Sequence, residues 1–190
     1  MKKELIQFFE SLEPEDEQGE GDVSRFINTD LPLGKIAEHF RETDVNYFID
    51  ENGFVNVNGN VNLSFLNLFD FEGIKFGTVT GNFDCRCNRL TTLKGSPQKI
   101  NGNFDCYDNR LPSLKGAPQY VRGNFNCRAN NLTTLEYAPK IVQGSFYCSG
   151  NQLNSLKGAP RIVGELFDCH GNNITSLEGA PQKIRGNFDC

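Results

Sequence analysis

Tryptophan is absent from this chain, methionine occurs once, and hydrophobic residues make up only 37% of its 190 positions. An ordinary globular domain is roughly 45–50% apolar, so one large, irregularly packed core is not what this composition builds. No apolar run reaches the length that crosses a bilayer. Glu4 and Glu10 interrupt the one stretch that could imitate a secretory signal, and no small-residue cleavage site follows it. These absences point to a soluble, cytoplasmic protein with no membrane partner. Also missing are a phosphate-binding glycine loop, a nucleophile elbow and carboxylates paired for acid–base work. The chain is therefore read as a non-enzyme without a cofactor. A strong basic field is missing too: residues 57–190 hold fourteen basic and ten acidic side chains, a surplus of 14 − 10 = 4. Nucleic-acid binding needs a clustered basic face with many phosphate contacts, so nucleic acid is not the expected partner.

What is present is repetition. Apart from Cys87, the cysteines fall at 85, 106, 127, 148, 169 and 190, every step being 21 residues. Asn recurs at 88, 109, 130, 151 and 172, Pro at 97, 118, 139, 160 and 181, and Phe at 83, 104, 125, 146, 167 and 188. Two leucine columns (one member Ile) and a Val/Ile column keep the same step, giving the unit C-x-x-N-x-L-x-x-L-x-G-x-P-x-x-[VI]-x-G-x-F-x. A period of this size is the mark of a solenoid, in which each unit buries its apolar face only against its neighbours. The alternation Val79-Thr80-Gly81-Asn82-Phe83-Asp84-Cys85 predicts one strand with Val, Gly, Phe and Cys facing inward, followed by a sharp turn after the Asn and an irregular return. Glu165 breaks the glycine column, with Gly164 one place early.

Three regions follow from this pattern. Residues 79–190 hold five full repeats and the first strand of a sixth, ending on Cys190 without a turn or cap, so the array is expected either to be cut short or to use its open end as an interface. Residues 45–78 form an N-terminal cap and a degenerate first repeat: Val57 to Leu63 copies the strand pattern 22 residues before Val79 to Cys85, and Asp50-Glu51-Asn52-Gly53 predicts a hairpin turn rather than a calcium loop. Residues 1–44 form an acidic helical segment, with "ELIQFFESL" and "LGKIAEHF" as helices (Leu33, Ile36, Ala37 and Phe40 on one face of the second) joined by "EPEDEQGEGD".

The thiols and the Asn column invite sharper readings. Metal ligands must converge on a point, whereas a 21-residue column spreads thiols along a line, and Cys85 and Cys87 on one face of a strand do not supply a full set; no metal site is expected. An odd number of cysteines in a cytoplasmic protein suggests free thiols filling a narrow column. Cys169 beside His170 imitates a nucleophile and base, but neighbours on a strand face opposite sides, and His39 has no evident partner. The Asn column, polar yet interior, is expected to bond backbone groups of its own and adjacent coils.

The segment Phe104-Asp105-Cys106-Tyr107-Asp108-Asn109-Arg110-Leu111 resembles the leucine-rich repeat core L-x-L-x-x-N-x-L, with Phe and Cys in place of the first two leucines. The full "CxxNxLtSLkGaPxxVxGnFdC" unit is similar to the short-repeat proteins encoded by large tailed bacteriophages and some bacteria, a resemblance that covers residues 45–190. It implies a mainly β repeat solenoid, a right-handed coil with a parallel concave sheet, plus the short helical N-terminal segment. It also implies use as a protein-binding module, in the host cytoplasm if phage-encoded. On that reading specificity resides in outward positions that vary from coil to coil: Asp84, Asp105, Asn126, Tyr147 and Asp168 before the Cys, Arg86, Tyr107, Arg128 and His170 after it, and Arg122 further back. The column at Asn82, Asn103 and Asn124 belongs to the same expected surface. The leading expectation is a non-enzymatic protein binder acting on a host factor. Alternatives are a structural or surface component assembling end to end through the uncapped last coil, and an inhibitor whose acidic residues 4–22 imitate nucleic acid.

Overall fold

A residue type that recurs every 21 positions comes to lie beside its own copy when the chain coils with that period. The structure, a computed structural model, describes residues 31–190. "ELIQFFESL" and the acidic linker lie outside the described residues. The described chain is a mainly β solenoid with one short helix, α1 (Lys35–Glu42), and an opening hairpin of β1 (Tyr47–Ile49) and β2 (Val55–Val57). Each coil then contributes two short strands: β3 (Val61–Asn62) completes the first coil, and β4 (Phe76–Val79) and β5 (Phe83–Asp84) the second. The pattern continues with β6 (Lys99–Ile100) and β7 (Phe104–Asp105), β8 (Tyr120–Val121) and β9 (Phe125–Asn126), β10 (Ile141–Val142) and β11 (Phe146–Tyr147). It ends with β12 (Ile162–Val163), β13 (Phe167–Asp168), β14 (Lys183–Ile184) and β15 (Phe188–Asp189). The even-numbered strands, with β1 at the edge, form an eight-stranded sheet, and the odd ones from β3 to β15 a seven-stranded sheet. Every pairing after the hairpin is parallel, and Phe83 faces Phe104, Phe104 faces Phe125, and so on in register.

The single strand expected from Val79 to Cys85 is thus two strands with a bend at residues 80–82 between them. The bend turns on the Gly column. Gly102 donates its N–H to the Gly81 carbonyl at 3.0 Å and Gly123 to that of Gly102 at 2.9 Å. A Cβ at Gly123 would sit 2.8 Å from the Gly102 carbonyl carbon, inside van der Waals contact, so only glycine lets successive bends stack this closely. Where Glu165 occupies the column, its N–H keeps the bond to Gly144 at 3.1 Å, and Gly164 takes the close approach against the Gln143 carbonyl instead. The sharp turn also differs from expectation. It precedes the Asn, at a left-handed residue that is Cys87 (φ 54), Asp108 (φ 52), Ala129 (φ 50), Gly150 or Gly171. Cys87 therefore leaves the strand and is half-exposed, while Cys85 stays buried, and the two thiols do not share a face.

Inside, the repeated letters are columns of like atoms. Phe83, Phe104, Phe125, Phe146 and Phe167 are completely buried, with successive rings stacked at centroid separations between 5.1 and 5.9 Å. Beside them run the Val/Ile, Leu and Cys columns. The five buried cysteines from Cys85 to Cys169 are all free, and the Cys106 thiol donates to the Asn126 carbonyl at 3.3 Å. Burial pushes the thiols of Cys85, Cys106, Cys127 and Cys148 well above their ordinary pKa, so they pack as small apolar groups rather than as nucleophiles. The interior Asn column does what its placement required. Asn130 Nδ2 donates to the carbonyls of Cys106 (3.0 Å), Arg128 (3.1 Å) and Cys127 (3.3 Å), while its Oδ1 accepts from the Leu111 N–H at 3.0 Å.

The array starts against α1. Ile36, Ala37 and Phe40 are buried against the first two coils, with the Phe40 ring 6.2 Å from that of Phe76; Leu33, expected on the same face, is 92% exposed because the helix starts only at Lys35. His39, which had no evident partner in sequence, donates Nε2–H to the Asn62 carbonyl at 2.7 Å, and Lys35 Nζ reaches the carbonyls of Asn67 (3.2 Å) and Leu66 (3.3 Å). In the seven-stranded sheet each coil's N–H groups bond the carbonyls of the next, as Leu63 N–H does with Asp84. Among the described residues no coil precedes the first to donate to its carbonyls, and the helix supplies donors to them. Glu72 completes the joint by accepting the first helical N–H groups, those of Lys35 (3.2 Å) and Ile36 (3.0 Å). At the hairpin, Asp50 Oδ1 accepts from the N–H groups of Asn52 and Phe54, both at 2.9 Å, and the bond from Phe54 holds its carboxyl below the usual range.

One residue sits uneasily in the frame. Gly95 (φ 95), Gly116 (φ 93), Gly158 (φ 89) and Gly179 (φ 84) occupy a left-handed corner of the return segment, but the third regular coil has Tyr137 there at φ 71 with about half its surface exposed. A left-handed backbone costs a non-glycine residue about 1–2 kcal/mol. Tyr137→Gly is expected to raise stability by about 1 kcal/mol once glycine's larger unfolded-state entropy is counted. Urea denaturation checks this; an unchanged or lower midpoint would mean that the exposed ring makes compensating contacts.

Candidate interaction face

The residues expected to carry specificity lie along one edge of the seven-stranded sheet. Asp84, Asp105, Asn126, Tyr147 and Asp168 are the last residues of their strands, and Arg86, Tyr107, Arg128 and His170 stand two positions on, across the buried Cys. Part of this row is structural. Asp84 Oδ1 accepts the Arg86 N–H at 3.0 Å, Asp105 that of Tyr107 at 2.9 Å, Asn126 that of Arg128 and Asp168 that of His170, both at 3.2 Å. The carboxylate or amide therefore closes the turn locally, the ordinary use of Asp and Asn at such positions. Burial pushes the Asp105 carboxyl up, the Asp84 charge adds to this, and the bonds from the Tyr107 N–H and the Asn126 side chain oppose it.

The Asn82 column, expected to face a partner, is committed elsewhere. Asn82 Oδ1 accepts the Asn103 N–H at 2.8 Å, Asn103 Oδ1 that of Asn124 at 2.7 Å, and Asn124 Oδ1 that of Ser145 at 2.8 Å. These side chains form a second ladder that ties bend to bend. The recurring Gly-Asn pair was the available signal, because a partner-facing column has no reason to hold one residue type. Arg122 stands apart as well: it follows β8 on the other side of the bend, with its N–H bonded to the Ile100 carbonyl at 3.0 Å.

What remains outward is a cluster at the centre of the array. The Arg128 guanidinium lies over the Tyr147 ring at 4.9 Å and the Tyr107 ring at 5.8 Å, and its Nε donates to Asn126 Oδ1 at 3.1 Å. Two cation–π contacts and one hydrogen bond from consecutive coils hold one side chain in place. On either side the row is polar. Arg86 Nε pairs with Asp84 Oδ2 at 3.3 Å, and His170 Nδ1 meets Asp168 Oδ1 at 2.6 Å, with the Ser149 hydroxyl donating to Asp168 Oδ2 at 3.1 Å. Asp168 is buried and His170 exposed, while the neighbouring Cys169 thiol is buried and pushed far up by that burial. Among the described residues, Asp168, His170 and Asp189 are the group whose ligand atoms converge, all lying within 4.8 Å of one another. In sequence this group is masked by the thiols, which are the more conspicuous ligand type. Among the described residues no helix is long and apolar enough to cross a membrane. No family model, no curated protein and no solved structure matches this chain.

Proposed function

We propose that this solenoid is a non-enzymatic protein-binding module that grips its partner with the outer row of the seven-stranded sheet, centred on Tyr107, Arg128 and Tyr147. The observation that carries the reading is the stacked Tyr107–Arg128–Tyr147 cluster. Tyr147 stands where other coils carry a turn-closing Asp or Asn, and tyrosine and arginine are among the side chains that most often dominate protein interfaces. The periodic interior supports the same reading, because a rigid array of stacked coils presents outward residues at fixed spacing. The resemblance of the unit to leucine-rich repeats, and to short-repeat proteins of large phages, makes a host protein in the cytoplasm the partner class we favour.

Replacing Tyr107, Arg128 and Tyr147 together by Ser should abolish capture of the partner from a lysate of the source cell, with circular dichroism and melting behaviour close to the parent. Retained capture would place the contact surface elsewhere on the array. Light scattering of the parent separates this reading from end-to-end assembly: a concentration-independent mass is expected, and a mass that grows with concentration would favour a structural component.

A further inference from the structure

We infer that Arg128 is a preformed receptor for a single oxyanion, a carboxylate or a phosphoryl group, on the partner. This rests on the proposal that the Tyr107–Arg128–Tyr147 row is the contact face. Arg86 and Arg128 hold equivalent places two coils apart, 42 residues or twice the period, each two positions after the residue that closes the turn. For Arg86 that residue is Asp84, and Nε pairs with its carboxylate at 3.3 Å. For Arg128 it is Asn126, which keeps the hydrogen bond to Nε at 3.1 Å but brings no charge. The next coil carries Tyr147 where Asp168 and Asp189 stand further on, so a second carboxylate is replaced by a ring lying 4.9 Å from the guanidinium. Among the described residues no carboxylate lies within ion-pair distance of Arg128.

The two substitutions remove neutralising charge and preserve, or improve, the positioning. With Nε bonded and rings over the guanidinium, the terminal nitrogens remain as a planar fork of donors, the geometry that pairs with two oxygens of a carboxylate or phosphoryl group. Holding the fork before binding lowers the ordering cost of capture. Asp105 lies in the preceding coil, and Asp84 and Asp168 each lie two coils away, so an extended polyanion such as nucleic acid would set its other phosphates against carboxylates. An isolated anionic group is what fits.

The test follows the Arg128 Nε–Hε resonance of the labelled full chain while phenyl phosphate or benzoate is added at constant ionic strength, with chloride as the control. A saturable shift with either probe, absent with chloride, is expected. Stronger response to phenyl phosphate assigns the phosphoryl source, and stronger response to benzoate the carboxylate source. Asn126→Asp restores the residue found at Asp84 and, once circular dichroism shows the fold retained without the Asn126 bond to Asp105, should weaken probe binding by about tenfold or more as the new carboxylate occupies the fork. Arg128→Gln, read by perturbation of the Tyr147 and Tyr107 backbone amides, should lose binding. No saturable shift in the parent, or parental affinity in Asn126→Asp, overturns the inference. If partner capture is lost in the triple Ser variant while the parent shows no anion response, the contact face stands and the oxyanion receptor falls. If the anion binds and capture survives the triple replacement, the contact-face proposal falls instead.

Discussion

Phe125→Ala is expected to cost about 3–5 kcal/mol, the range for removing a fully buried aromatic side chain. Its ring is completely buried between those of Phe104, at 5.1 Å, and Phe146, at 5.3 Å, so truncation empties a volume in the middle of the array and breaks two stacked contacts. Each such pair contributes about 0.5–1.5 kcal/mol beyond its buried area. Because every coil touches only its neighbours, a central defect also weakens the coupling between the two halves. Urea unfolding followed by circular dichroism should therefore show a lower midpoint and a broader or divided transition. Phe188→Ala supplies the comparison: that ring is 41% exposed and, among the described residues, stacks on Phe167 alone, at 5.6 Å, so its loss should be under about 2 kcal/mol. Equal losses at both positions would show that the phenylalanine column is not the main support of the array.

Asn130→Ala should cost about 1–3 kcal/mol, for a different reason. Little apolar area is lost. Instead the Leu111 N–H loses its acceptor, and the carbonyls of Cys106, Cys127 and Arg128 lose a shared donor, in a site where Asn130 is itself only 6% exposed. Asn130→Asp separates hydrogen bonding from simple space filling. The carboxylate matches the amide in size and can still accept from Leu111, but as an anion it has no proton to offer and would face three carbonyl oxygens. Thermal or chemical denaturation should find Asp more damaging than Ala. If Asp is tolerated better than Ala, the column acts by filling volume and the ladder assigned to it is not the source of its contribution.

Much of this architecture is legible in the letters alone. The period, the inward set of Val/Ile, Phe, Cys and Leu, the interior role of Asn88 through Asn172 and the turn at Asp50 to Gly53 all rest on spacing and local chemistry, and the solenoid places them as spacing required. The division of the Val79–Cys85 strand is not legible, because Gly81 alternates correctly for an inward strand position. Only its approach to the neighbouring coil shows it to be a bend. The Asn82 column invites assignment to recognition because its exposure is real, whereas its bond to the next coil spans 21 residues and leaves no local mark. Leu33 fails as a face residue because the helix begins two positions later than its periodicity suggests.

By itself the sequence determined a coil of 21 residues and which letters lie inside it, since identical residues at a fixed period can bury themselves only against their copies. The tertiary structure alone decided where the strands break, how α1 supplies donors to the first coil, and that Arg128 stands stacked and without an ion-pair partner among the described residues. Those outcomes depend on the sign of φ at single residues and on distances across neighbouring coils, neither of which a column of letters encodes.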